Sequence, residues 1–201
     1  MRLRKGVHCE PSLRAKQFTS KGESIWLYFA LAWLIAAAGA RAEDAPPLVA
    51  NASFEATVED GPLPADWHGD GTVYARDTEV ARTGGASLRY VNDDPNRYRL
   101  AHQRVPLEPG RTYRYSGWVK TQDIAGPDSG ATFCIEWSGK DGKWLGGSYA
   151  SGISGTEDWT LISGIARVPD DAAACTFSCY VRRGMTGTAW FDDVEIVRVL
   201  Q

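Results

Sequence analysis

Two short motifs, one near each end of the chain, combine aromatic anchors with carboxylates. The first is Asn51-Ala52-Ser53-Phe54-Glu55 and the second Trp190-Phe191-Asp192-Asp193-Val194. Calcium takes roughly 6 to 8 oxygens, mixing carboxylates with backbone carbonyls. Glu55, one of Asp192 and Asp193, and carbonyls of neighbouring loops could supply such a set. The same acids could instead accept hydrogen bonds from backbone N–H groups at strand ends. Sharing a metal requires the two motifs to meet across about 140 residues, one domain's worth of chain.

Hydrolytic chemistry is harder to assemble. Glycoside cleavage uses two carboxyl groups roughly 5 to 9.5 Å apart that face one bond. Asp192 and Asp193 are neighbours in a predicted strand, so they point to opposite faces. Beyond residue 42 the only histidines are His68 and His102. Neither stands in a zinc-protease pattern or beside an evident nucleophile. Gly147-Ser148 and Ser151-Gly152 read as turns, not as a nucleophile elbow. The residues point to a noncatalytic chain.

A second set of residues suits binding. Side chains alternate along a strand with a period of two. That period puts Tyr113, Tyr115, Gly117 and Val119 on one face, with Trp118 on the other. It joins Phe133, Ile135 and Trp137, opposite Cys134 and Glu136. It joins Cys175, Phe177, Cys179 and Val181, opposite Thr176, Ser178, Tyr180 and Arg182. Gln103, Val105 and Leu107 oppose His102 and Arg104. The apolar sets read as core. The others predict a polar face carrying Trp118, Tyr180, Glu136, His102, Arg104 and Arg182. Aromatic rings pack on the C–H faces of sugars, and the charged and amide groups pair with hydroxyls. The same residues would also suit an ordinary solvent-facing sheet.

These faces need strands to carry them. Runs rich in Val, Ile, Tyr, Phe, Trp and Thr alternate with turn clusters such as Gly84-Gly85, Pro109-Gly110 and Gly126-Pro127-Asp128. Strands are predicted at 72–76, 86–91, 98–107, 111–121, 131–138, 143–149, 158–168, 174–182 and 188–199. Ser138 to Trp144 reads as a hairpin turning at Asp141-Gly142. Many short strands without a helical stretch predict an all-β jelly-roll sandwich.

Ahead of this lies an apolar run, residues 25–40, shorter than the roughly 20 residues a membrane span needs. Basic residues precede it and Ala40-Arg41-Ala42 follows, the pattern of a cleaved secretory signal over 1–42; a retained signal anchor is the other reading. The domain is then 43–201, secreted, periplasmic or at the cell surface. Fifteen basic and 23 acidic residues remain there, a net charge of −8. Such a surface repels nucleic acid and anionic lipid and suits a neutral partner or a cation. Cys134, Cys175 and Cys179 remain as an odd set. Four residues of strand separate Cys175 from Cys179 by about 13 Å, too far for a disulfide, so buried free thiols are expected.

The order of the motifs resembles carbohydrate-binding modules of the family 4/9 type, in the galactose-binding-like jelly-roll superfamily. Asn51 to Glu55 is followed by Pro64-Ala65-Asp66-Trp67 and Thr83-Gly84-Gly85-Ala86-Ser87-Leu88-Arg89. Val105-Pro106-Leu107-Glu108-Pro109-Gly110, Ser116-Gly117-Trp118-Val119 and Trp190 to Val194 complete the series. The resemblance covers nearly all of 43–201. It implies a noncatalytic domain with a structural calcium near the chain ends. Glu55, Asp192 and Asp193 fall on the acidic positions, and Glu79 is a third candidate. Ala52 and Ser53 stand where many members have glycines. Two functions are expected: glycan binding through the polar face, or protein contact at the cell envelope by a structural or adhesive module.

Overall fold

The computed structural model describes residues 47–200 of 201; the segment read as a signal sequence, 1–42, lies outside the described residues. All nine predicted strands form, and no helix is present among the described residues. In chain order they are β1 (Tyr74–Asp77), β2 (Ser87–Asn92), β3 (Leu100–Val105), β4 (Thr112–Ala125), β5 (Ala131–Ser138), β6 (Trp144–Tyr149), β7 (Gly155–Arg167), β8 (Ala174–Val181) and β9 (Thr186–Arg198). One sheet has the order β1-β2-β9-β4-β7 and the other β3-β8-β5-β6. Every pairing is antiparallel. The expected jelly-roll sandwich is therefore what the chain adopts.

The predicted inward sets meet between the sheets. Phe177 stacks on Phe133 at 5.7 Å and meets Tyr115 and Trp67 edge-on. Phe133 in turn meets Phe191 edge-on at 5.6 Å. Small residues leave room for these rings. A Cβ on Gly117 would lie 2.6 Å from the Phe133 ring, and one on Gly164 would clash with the hydroxyl end of the Tyr115 ring. β4 runs on past the predicted end at 121. Its register slips twice, and Asp123 takes a φ of 55°, which returns Ile124 to the core.

The two end motifs meet. Phe54 and Phe191 are both fully buried, and the Val194 N–H donates to the Ala52 carbonyl. Phe54 reaches the core from a left-handed backbone, φ 59°. Asn51 holds that turn, donating to the Ala56 and Ala65 carbonyls and accepting from the Ala56 N–H.

Cys134, Cys175 and Cys179 are free and buried, as their spacing predicts. Burial, reinforced by the nearby Glu136 carboxylate, pushes the Cys134 thiol up to about 12. It stays protonated and unreactive near neutral pH.

Candidate functional site

The outer face of the β3-β8-β5-β6 sheet is a groove. Register lines up its side chains in rows across the strands. His102, Ser178, Cys134 and Tyr149 form one row; Arg104, Thr176, Glu136 and Gly147 form the next. Thr176 and Ser178 make a low floor because they are small. His102 rises at one side and Trp144 at the other. The central stretch encloses about 510 Å³. His102 and Thr176 also line a recess of about 540 Å³ with His68 and Asp66. Tyr98 links the centre to a third recess of about 250 Å³, beside Tyr180, Arg182 and Arg183.

Glu136 organises the middle. Its Oε1 accepts hydrogen bonds from the Tyr149 hydroxyl at 2.7 Å and the Trp144 indole N–H at 3.2 Å. Two aromatic rings are thereby fixed in water-facing positions: Trp144 is 65% exposed and Tyr149 45%. Burial, then the Glu136 carboxylate, push the Tyr149 hydroxyl well up, so it stays a donor. Gly147 lets the ring fold back over β6, since a Cβ there would lie 2.9 Å from the Tyr149 hydroxyl. The second Glu136 oxygen has no hydrogen bond among the described residues and remains an acceptor.

The groove contains most of the residues predicted for the polar face, with two corrections. Glu136, His102 and Arg104 line it, and Arg182 lies at its Tyr98 end. Trp118 does not belong to it. It sits on β4, in the other sheet, facing away from the sandwich, with the Arg82 guanidinium 3.7 Å above its ring. Tyr180 is in the groove but only 2% exposed, because Tyr98 packs edge-on against it at 6.3 Å. It forms floor where a platform was expected.

Trp144, Tyr149 and Tyr98 are the aromatics that sequence reasoning missed. Trp144 and Tyr149 are five residues apart, which strict alternation would place on opposite faces. A bulge overrides that: Trp137 pairs with Gly146 and Ser138 with Trp144, leaving Leu145 unpaired. The hairpin turn itself is as predicted, with Gly142 at φ 76° donating to the Gly139 carbonyl. A Trp following a short Asp-Gly turn was the available signal.

The clasp acids converge from both sides on the loop before β2. Glu55 Oε1 accepts from the Gly85 and Ala86 N–H groups. Asp192, fully buried, accepts from the N–H groups of Arg82, Thr83 and Asp193. Asp193 accepts from the Arg82 guanidinium at 2.7 Å and the Thr83 hydroxyl at 2.6 Å. Arg76 lies 3.7 Å from the remaining Glu55 oxygen. Glu79 is exposed at the turn after β1, where its N–H donates to Asp77. This donor set does not fit calcium as it stands. Arginine already supplies the positive charge, and the carboxylates are spent on N–H and O–H donors. No group of three or more acidic, His or Cys residues suited to a metal exists among the described residues.

No known family profile matches the chain. A stretch of 105 residues is 36% identical to tRNA nuclease WapA of Bacillus subtilis (strain 168), covering 49% of this chain and 4% of that protein. The tRNA(Glu)-specific nuclease WapA of Bacillus subtilis subsp. natto is 34% identical over the same length and share. The chain thus spans about 4% of the length of these curated relatives. Among solved structures, the CBM22-1 xylan-binding domain of Paenibacillus barcinonensis Xyn10C matches at TM-score 0.56 and 16% identity, over 74% of this chain and 92% of that one. The C-terminal family 22 carbohydrate-binding module of Clostridium thermocellum Xyn10B gives 0.55 and 18%, over 75% and 96%. The enzymatically active domain of tailspike protein 4 from bacteriophage CBA120 gives 0.54 and 16%, over 76% and 21%. At such identities the likeness is one of fold: the chain has the jelly roll of carbohydrate-binding modules. The first two of these neighbours are family 22 modules and the third is a tailspike domain, so the likeness does not distinguish the family 4/9 type.

Proposed function

We propose that the chain is an exported, noncatalytic glycan-binding module that grips an extended sugar chain in the groove of the β3-β8-β5-β6 sheet. The observation that carries this reading is Glu136. It fixes two exposed aromatic rings with one oxygen and offers the other to a sugar hydroxyl. The fold shared with xylan-binding modules supports it, and so does the length of the groove across several strands. A hydrolase would need a second carboxylate facing the same bond, and among the described residues Glu136 is the one acid that lines the central stretch. Export rests on the apolar run and Ala40-Arg41-Ala42 alone.

Titration against xylo-, cello- and manno-oligosaccharides tests the reading. At least one series should bind, and Trp144→Ala should weaken it about ten-fold or more, the effect of uncovering one apolar platform. Trp118→Ala, on the other sheet, should leave affinity unchanged. Absence of binding to every series, or equal binding by Trp144→Ala, overturns the proposal. Protein contact is the second reading, and exposed Leu161 and Ile165 on edge strand β7 favour it. Glycan binding that Trp144→Ala abolishes belongs to the first reading alone.

We further infer that the clasp closes without calcium, through Arg76, Arg82 and backbone N–H groups. Excess chelator, and millimolar calcium, should each leave the melting temperature unchanged. A calcium-dependent rise would show an ion replacing those donors, because a ligand of the folded state stabilises it by mass action.

A further inference from the structure

We propose that the Tyr98 end of the groove receives an acidic group, so that the module prefers glycans carrying carboxylate or sulfate over neutral ones. This rests on the groove being the glycan site. The recess there is lined by two arginines and one carboxylate, Arg182, Arg183 and Asp128, together with three tyrosines. Asp128 is the weaker party. It lies 3.6 Å from Arg182 Nε, which makes no hydrogen bond although it is buried. The same Asp128 oxygen accepts from the Ser129 N–H at 2.6 Å.

Arg183 is exposed and has no ion pair among the described residues. Most other arginines of the domain are matched: Arg76, Arg82, Arg89, Arg99, Arg111, Arg114 and Arg198 each face a carboxylate within 4 Å. Arg183 thus brings an unpaired cation to the groove of a domain whose net charge is −8.

Both guanidiniums are positioned. Arg183 lies 5.0 Å over the Tyr98 ring and Arg182 5.9 Å from the Tyr180 ring. Arg182 is anchored further, donating from its side chain to the Ala150 carbonyl and from its backbone to Gly130. A guanidinium held over a ring still presents in-plane N–H donors, whose spacing matches two oxygens of one anion. The other end of the groove is balanced, because Asp66 lines the same recess as Arg104. The centre holds Glu136, which repels an acid. The recognised pattern is thus a neutral sugar over Glu136 with an acidic one beside it, toward Arg183.

The test titrates neutral xylo- and cello-oligosaccharides against forms of the same backbones bearing glucuronic acid or sulfate. At least one acidic form should bind about ten-fold tighter than its neutral parent, the scale of one charge-assisted hydrogen bond. The ratio should fall toward one in roughly 1 M salt, where screening acts within about 3 Å, and in Arg183→Ala. Arg114→Ala, which removes a cation from the other sheet, should keep the ratio. Whichever form gains identifies the acid as carboxylate or sulfate. Equal binding of neutral and acidic forms, or a preference that survives Arg183→Ala, overturns the proposal while leaving glycan binding intact. If neither kind binds, the groove reading falls and this one with it.

Discussion

Phe177→Ala is expected to lose about 3–5 kcal/mol of folding stability and to lower the urea midpoint by roughly 2 M. The ring is completely buried. It touches Phe133, Tyr115 and Trp67, which come from β5, β4 and the loop before β1. β8 lies between β3 and β5, so the ring sits under the middle of the groove's own sheet. Phe133 and Tyr115 are themselves large rings on strands locked by ladders on both sides. They cannot collapse into the space, so the cost of the cavity adds to that of the lost burial. Equilibrium unfolding of the purified domain measures this; a midpoint shift below about 0.5 M would show that the aromatic cluster is not the centre of the core.

Asp192→Ala should cost nearly as much, about 3–5 kcal/mol, for an electrostatic reason. Three backbone N–H groups donate to this fully buried carboxylate. Removing the acceptor strands them, at roughly 1–3 kcal/mol each before relaxation. Asp192→Asn should cost less, about 1–2 kcal/mol, because one oxygen still accepts. The charge itself is unwelcome. Burial raises the Asp192 pKa, and the three N–H bonds oppose that only in part. A raised folded value means that the stability linked to this group is present below the unfolded pKa and lost as pH rises through the folded one. The deficit of Asp192→Asn relative to the parent should therefore be smaller at neutral pH than at pH values below the carboxylate range. The order parent, Asn, Ala in urea midpoint checks the prediction. An Ala variant as stable as the parent would mean that the loop before β2 finds other acceptors.

The strands were legible in the sequence because alternation has a fixed period and the turns are marked by glycine and proline. The inward positions followed, and with them the outward places of His102, Arg104 and Glu136. Which sheet a strand joins was not legible. Trp118 is correctly outward, yet β4 pairs with β7 and β9 while Glu136 on β5 pairs across to β8. That choice is made by contacts far apart in sequence, and period alone carries no trace of them. Trp144 was hidden by a single unpaired residue, Leu145, that reverses the parity of half a strand. Tyr180 was misjudged because the Tyr98 ring, from the loop before β3, covers it. At the clasp the acids were in the predicted places. Backbone N–H groups donate to them there, joined by the Arg82 guanidinium, which no local motif marks.

The strand order bears on how such a chain can be made. β9, the last strand, lies between β2 and β4 in the middle of its sheet. Until residues 186–198 emerge during synthesis, β1-β2 and β4-β7 are separate two-strand ribbons, each too small to be stable alone. Their open edges are the kind that pair with neighbouring chains. The buried acid that fastens the loop before β2 also arrives only then. Assembly of this sheet must therefore wait for the final strand, which makes it slow for its size. A chain cut short before β9 would be an unassembled, aggregation-prone polypeptide and not a smaller version of the domain.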